Sequence, residues 1–392
     1  MELIDHIRET GTRSQWEQAL HSWATADTGL ADFGDDSYRI GLRRVLDAYL
    51  DAQLDAQAWR IVNRAIVDLL ISRLYSQSGW ASTPASLLTV IRAPLVITGM
   101  PRTGTTALHK LLAVDPQFQG LQHWLIGTPM VRPPASIWSR HPGFRAAAEK
   151  LKHVYVWVGG LRVAHEMVAE EVDECSRLIA QSFCHDFFGH FAPIEGYDRW
   201  FLQSDMRASY RRYADNLKLI GFAEQEKRWL LKDPLHLLHL EALLAVFPDA
   251  CVIQTHREPS RALASYCSPI VVGRRSISPR AEVDARAIAR REIGIWSEAI
   301  RRSMQIRARH AERFHDVSHG EFVRNPMAVV RGIYERFSLT LDPSTEREML
   351  QWIARNPRGK HGEHRYSMSD CGLDDTAVRE RFMEYVEVFE LS

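Results

Sequence analysis

Across residues 1–90, apolar positions return at helical spacing: Ile40, Leu42, Val45, Leu46, Tyr49 and Leu50, then Ile61, Ile66, Leu69 and Leu70. That spacing predicts amphipathic helices, and the stretch is read as an N-terminal helical subdomain. The turn-rich run from Ser76-Gln77-Ser78-Gly79 to Thr83-Pro84 breaks the pattern, which sets a boundary near residue 90, with 91–392 as the second domain.

The pattern changes at 93–114. Leu95-Val96-Ile97 is a short buried-strand signal, followed by Gly99-Met100-Pro101-Arg102-Thr103-Gly104-Thr105-Thr106. Ala107, Leu108, Leu111 and Leu112 then share a helical face, and the helix should stop before Asp115-Pro116. Two further strands are expected, Trp229–Leu231 running into Lys232-Asp233-Pro234, and Cys251–Gln254 running into Thr255-His256-Arg257. Between them 235–247 reads as a helix. Strands alternating with helices imply an α/β fold with a parallel sheet.

Composition narrows the function without choosing it. A chain that is 45% hydrophobic and 25% charged is an ordinary globular one, with ample length to bury a core. The 49 Lys and Arg balance 49 Asp and Glu, which argues against nucleic acid or another polyanion bound through bulk charge. The longest uncharged stretches, such as 74–91, are too polar for a membrane span. The Met1–Asp5 start lacks the basic and apolar regions of a signal peptide. Five cysteines without a Cys-x-x-Cys pair suit a reducing compartment, so a cytoplasmic location is expected. His361, His364 and Cys371 lack a fourth partner at convincing spacing, and no metal site is expected.

The glycine loop carries the chemistry. Gly-x4-Gly followed by a helix presents backbone N–H groups to an anion. It departs from a nucleoside-triphosphate loop because Thr105 stands where the lysine belongs, and neither later strand ends in a convincing magnesium-binding carboxylate.

Pro101-Arg102-Thr103-Gly104-Thr105-Thr106 resembles the 5′-phosphosulfate loop of sulfotransferases that use 3′-phosphoadenosine 5′-phosphosulfate (PAPS). His256-Arg257-Glu258-Pro259 with Ser265 is similar to that family's 3′-phosphate motif, an Arg and a Ser eight residues apart. Lys232-Asp233-Pro234 resembles the tyrosylprotein branch, whose lysine approaches the transferred sulfate, and His364–Ser367 with Gly372-Leu373 resembles the bacterial tail. The resemblance spans roughly 90–385. It implies a three-layer, P-loop-like sulfotransferase core that binds PAPS as cosubstrate without a metal. Arg102, Thr103, Gly104, Thr105 and Thr106 would hold the phosphosulfate, Arg257 and Ser265 the 3′-phosphate, and Lys232 the transferred group. Lys360, within Arg358-Gly359-Lys360, scrambles a basic motif of cytosolic relatives and is a further nucleotide candidate.

The acceptor's general base is open between two residues. Trp124 is followed by Leu125 where bacterial relatives often carry Glu, which turns attention to His123 and to Glu174 in the acidic run Glu170–Glu174. Imidazole titrates near neutral pH and a carboxylate serves in the tyrosylprotein branch. Residues 118–201 hold thirteen aromatics in 84 positions, which fits either a hydrophobic pocket for a small-molecule or lipid acceptor or a packed core. Residues 271–313 hold eleven Arg and five Asp or Glu, a cationic flap or a solvated helix. Rival readings are a nucleotide-dependent kinase and a nonenzymatic PAP(S)-binding regulator.

Overall fold

In the computed structural model, which describes residue 8 and residues 11–157, 166–279, 282–357 and 371–391, three helices occupy most of residues 13–82. They are α1 (Arg13–Thr28), α2 (Tyr38–Asp51) and α3 (Ala56–Ser82). Thr12 and Gln15 close a capping box on α1, and the Asp55 carboxylate accepts from the Gln57 and Ala58 amides to start α3. Trp16 stacks on Trp59 at 4.1 Å and joins α1 to α3. Ile40 is 62% exposed, against the expectation that it belongs to the buried face. Two residues from Leu42, it points to the opposite side of the helix.

The expected break at Ser76 is absent, and α3 continues to Ser82. Two serine hydroxyls, Ser76 and Ser82, donate back to carbonyls one turn earlier. Gly79 is there for close packing: a Cβ would lie 2.5 Å from Leu219 Cδ2.

Five strands follow: β1 (Leu95–Gly99), β2 (Phe118–Gly120), β3 (Arg228–Lys232), β4 (Cys251–His256) and β5 (Phe314–Ser318). All pair in parallel, in the order β2-β3-β1-β4-β5. Ile97 lies opposite Lys232 and Gly99 opposite Thr255, so the carboxyl ends of the three central strands share one edge. Successive side chains point to opposite faces. Leu95, Ile97, Leu230 and Ile253 pack with Leu108 and Val330 on one side. Val96, Leu231 and Val252 pack on the other, in a cluster that also takes in Trp16, Trp59 and Tyr385. Helices on both faces of a parallel sheet make the three-layer α/β architecture.

The helices that frame the sheet edge are α4 (Thr105–Leu112), α5 (His123–Gly127), α6 (Arg207–Ile220), α7 (Pro259–Ile277) and α8 (Ala285–Arg309). Residues 235–247 are not one helix: Pro234–His239 winds as a 3-10 helix and Leu240–Val246 as an α-helix. Apolar spacing over six residues does not separate a three-residue period from one of 3.6. Among the described residues no helix is long and apolar enough to cross a membrane.

Candidate active site

The link from β1 to α4 is built from unusual backbone. Gly99, Arg102 and Gly104 have φ of 146°, 67° and 95°. At Gly99 a Cβ would sit 2.5 Å from the Thr255 carbonyl oxygen, so only glycine lets β1 leave the sheet this close to β4. Gly104 caps α4 without a side-chain hydrogen bond. Among the described residues, the first N–H groups of that helix therefore have no intrahelical or capping side-chain partner, the arrangement that suits an anion. The Thr103 hydroxyl donates to the Met100 carbonyl (2.6 Å) and lies 2.5 Å from the Thr255 hydroxyl. Thr103 thus braces the loop with its side chain, and what it offers an anion is its backbone amide. Thr105 is buried as well.

On the β4 side the loop meets the second expected motif. Arg102 Nε donates to Ser265 Oγ (3.0 Å), and Arg257 Nη1 donates to the Arg102 carbonyl (2.9 Å). Glu258 caps α7 through the Ser260 and Arg261 amides, with Pro259 in the first turn, and this winds Ser265 back beside the loop. His256, just before Arg257, is anchored from three directions. Its Nε2 meets Asp316 Oδ1 (2.8 Å), its Nδ1 meets the Tyr385 hydroxyl (3.0 Å), and its ring stacks on Phe389 at 4.0 Å. Burial lowers its basicity despite Asp316.

On the β3 side, Lys232 is 1% exposed, and its Nζ donates to Glu174 Oε1 (2.6 Å) and to Thr106 Oγ1 (3.3 Å). The acidic run is not a helix face. It crosses the sheet edge in extended form: the Asp173 amide donates to Leu121 O (2.8 Å) and the Cys175 amide to Lys232 O (3.0 Å), while Gln122 and Val172 form an antiparallel bridge. Each acid then has its own task. Glu171 pairs with Lys110 at 2.5 Å, Asp173 Oδ2 lies 2.6 Å from His123 Nδ1, and Glu174 neutralises Lys232. Both candidate bases therefore belong to one string of contacts, His123–Asp173–Glu174–Lys232–Thr106.

Sequence reading quoted Asp173, Thr255 and Asp233 only inside longer motifs and gave none of them a role in the site. Asp233 is buried, and its carboxyl is pushed up to about 7 by desolvation first and by the charge of Glu174 second. The aromatic enrichment of 118–201 is largely interior packing, since Trp124, Phe183, Phe188 and Phe201 are 1% exposed or less. Nor is the arginine-rich stretch simply a flap or a solvated face. Arg291 forms a bidentate pair with Asp198 at 2.8 Å, and Arg307 pairs with Asp316. Lys360, with Arg358, His361 and the His364–Ser367 motif, lies outside the described residues. Among the described residues no group of three or more His, Cys, Asp or Glu is arranged to hold a metal ion.

Residues 94–343 match the model of the sulfotransferase family. The chain is similar to the crystal structure of sulfotransferase STF1 from Mycobacterium tuberculosis, with 35% identity, a TM-score of 0.84, and coverage of 94% of this chain and 98% of that one. It is also similar to sulfotransferase STF9 from Mycobacterium avium, with 28% identity, a TM-score of 0.87, and coverage of 96% and 97%. No curated protein matches the chain. With the family's model spanning the sheet and its loops, and a relative matching along nearly the whole length, the chain belongs to the sulfotransferase family.

Proposed function

We propose that the chain transfers a sulfuryl group from PAPS to the hydroxyl of a small-molecule or lipid acceptor, the work of a cytoplasmic enzyme. The observation that carries this reading is the joining of Arg102, Arg257 and Ser265 by hydrogen bonds of 2.9 and 3.0 Å at one end of the sheet. PAPS has two separate anionic groups, and this arrangement supports two adjacent subsites. The amides of 103–106 and Arg102 would receive the phosphosulfate, and Arg257 and Ser265 the 3′-phosphate. The narrow approach of Gly99 to Thr255 supports the fit, because it keeps side chains out of the cradle.

Lys232, in contact with Thr106 of that cradle, would neutralise the charge that grows on the transferred group and the bridging oxygen. Glu174, 2.6 Å from Lys232, is the proposed base for the acceptor hydroxyl. A second reading has its own support: Asp173 at 2.6 Å from His123 Nδ1 favours the tautomer whose Nε2 is basic, so His123 would be the base and Glu174 a partner for Lys232.

Incubation with ³⁵S-labelled PAPS and a panel of phenols, alcohols and lipids tests the reading. Labelled acceptor is the expected result. Turnover of Mg-ATP without sulfate transfer would favour a kinase, and tight PAP binding without turnover a regulatory protein.

A further inference from the structure

Behind Lys232 lies a set of buried polar atoms that neither nucleotide binding nor the base explains. In a 3-10 helix side chains three apart eclipse, so the Pro234–His239 turn sets its cap Asp233, His236 and His239 along one edge. His185 is held near that edge by Tyr197, whose hydroxyl accepts from the His185 amide (2.9 Å) and whose ring stacks on Phe201, itself 5.3 Å from the His239 ring. The charge of His185 acts on Asp233, His236 and His239. Asp233, His185, His236 and His239 are 2%, 3%, 0% and 5% exposed. Among the described residues, each nevertheless has one buried atom with no hydrogen-bond partner: Asp233 Oδ2, and Nε2 of the three histidines.

Their other atoms are firmly held. Asp233 Oδ1 accepts from the Leu235 amide (2.9 Å), His236 Nδ1 meets the Tyr210 hydroxyl (2.7 Å), and His185 Nδ1 lies 2.9 Å from Asp186 Oδ1. An unmet buried polar group is costly, and four of them gathered in one place point to a function.

We propose that Asp233, beside His185, forms an internal proton-holding site that relieves the base of the transfer site. The proposal rests on the reading of Glu174 as that base. As the acceptor oxygen bonds to sulfur, the bond from sulfur to the 5′-phosphate oxygen breaks and its electron pair stays on the phosphate. The acceptor's proton moves to the Glu174 carboxylate and then, directly or through a bridging water, to Asp233; it later leaves for solvent back through Glu174, whose side chain is 27% exposed. Nothing is oxidised or reduced. Asp233 acts through Glu174 and is a positioning residue for the proton, not a contact of the substrate.

The groups facing Asp233 fit this task. Glu174 and burial raise its carboxyl to about 7, and Lys232 and His185 oppose them. Cys175 and the α6 residues Tyr210 and Tyr213 also face it, and burial holds all three in their neutral forms. Burial works against a charged His185, but its hydrogen bond to Asp186 and the charge of Asp186 outweigh this and raise it. A carboxyl pushed up to about 7 can accept a proton above that pH and not below it.

The test is kcat against pH, with the best acceptor from the screen, beside PAP affinity by calorimetry. Wild type should gain activity as pH rises through about 7. Asp233→Asn should abolish that limb and lower kcat about tenfold at alkaline pH, with PAP affinity unchanged. His185→Gln removes a charge that holds the Asp233 carboxyl down, so its limb should move to higher pH, a shift that packing alone does not cause. An unaltered limb and rate in Asp233→Asn would overturn the proton-holding site while leaving the transfer reading intact. If Asp233→Asn fails to bind PAP, the limb of His185→Gln decides alone. Wild type that transfers no label from PAPS would overturn both.

Discussion

The Gly99–Thr106 loop and the 166–175 segment both end at the carboxyl edge of the sheet, yet they are held there in different ways. The loop is shaped mostly by its own backbone, with positive φ at Gly99, Arg102 and Gly104 and a helix that starts at Thr105. The acidic segment has no regular element of its own. It keeps its place through bonds to Leu121, Lys232 and His123, and Gly120 makes room for it, since a Cβ there would lie 2.3 Å from Val172 Cγ1. The lesson is that an anion cradle is a local device, whereas the partner of a buried lysine is chosen by distant chain.

The comparison breaks first at its local side. Gly99→Val should be the most damaging change, because it combines a disfavoured φ with overlap at Thr255. A loss of about 3–5 kcal/mol in denaturant unfolding is expected. Wild-type stability would show that the loop relaxes freely.

Lys232→Met tests the junction of the two regions. It removes a buried cation and strands Glu174, so kcat should fall about 10²–10³-fold, with a smaller effect on PAPS affinity. A loss of PAPS affinity with kcat unchanged would make Lys232 a ground-state binding residue.

Arg257→Ala sharpens the picture within the nucleotide half. Loss of a charge-assisted contact is worth about 1.5–3 kcal/mol, roughly tenfold to over a hundredfold in affinity. The loss should fall on PAPS and spare adenosine phosphosulfate, which lacks the 3′-phosphate. Equal losses for both nucleotides would remove Arg257 from the 3′-phosphate subsite.

The smallest effect is expected at Asp173→Asn. With Glu174 as the base, the pair of His123 and Asp173 supports the segment, and kcat should change by less than about fivefold. A fall beyond about a hundredfold, together with a moved pH limb, would transfer the base role to His123.

Much of this site was legible before any coordinates. Leu95–Ile97, Trp229–Leu231 and Cys251–Gln254 announce β1, β3 and β4 as short apolar runs, and the glycines after β1 announce the turn. The eight-residue spacing of Arg257 and Ser265 is spanned by the first turns of α7. Other readings failed where periodicity is a weak guide. Ser76–Gly79 looked like a turn because a serine-and-glycine run carries no sign that a neighbour needs the space. The partners of the acidic run were not legible either, because charge alone does not reveal them.

Sequence by itself determined the parts whose causes lie within a few residues: the strand–loop–helix order, the glycines that permit it, and the caps that start α4 and α7. Only the tertiary structure decided that Glu174 meets Lys232, that Arg102 reaches Ser265, and that Tyr210 meets His236. The reason is desolvation. A buried charge or an unmet polar atom is costly, and its partner comes from whichever segment the packed sheet and helices bring within reach, 58 residues away for Glu174 and 163 for Ser265.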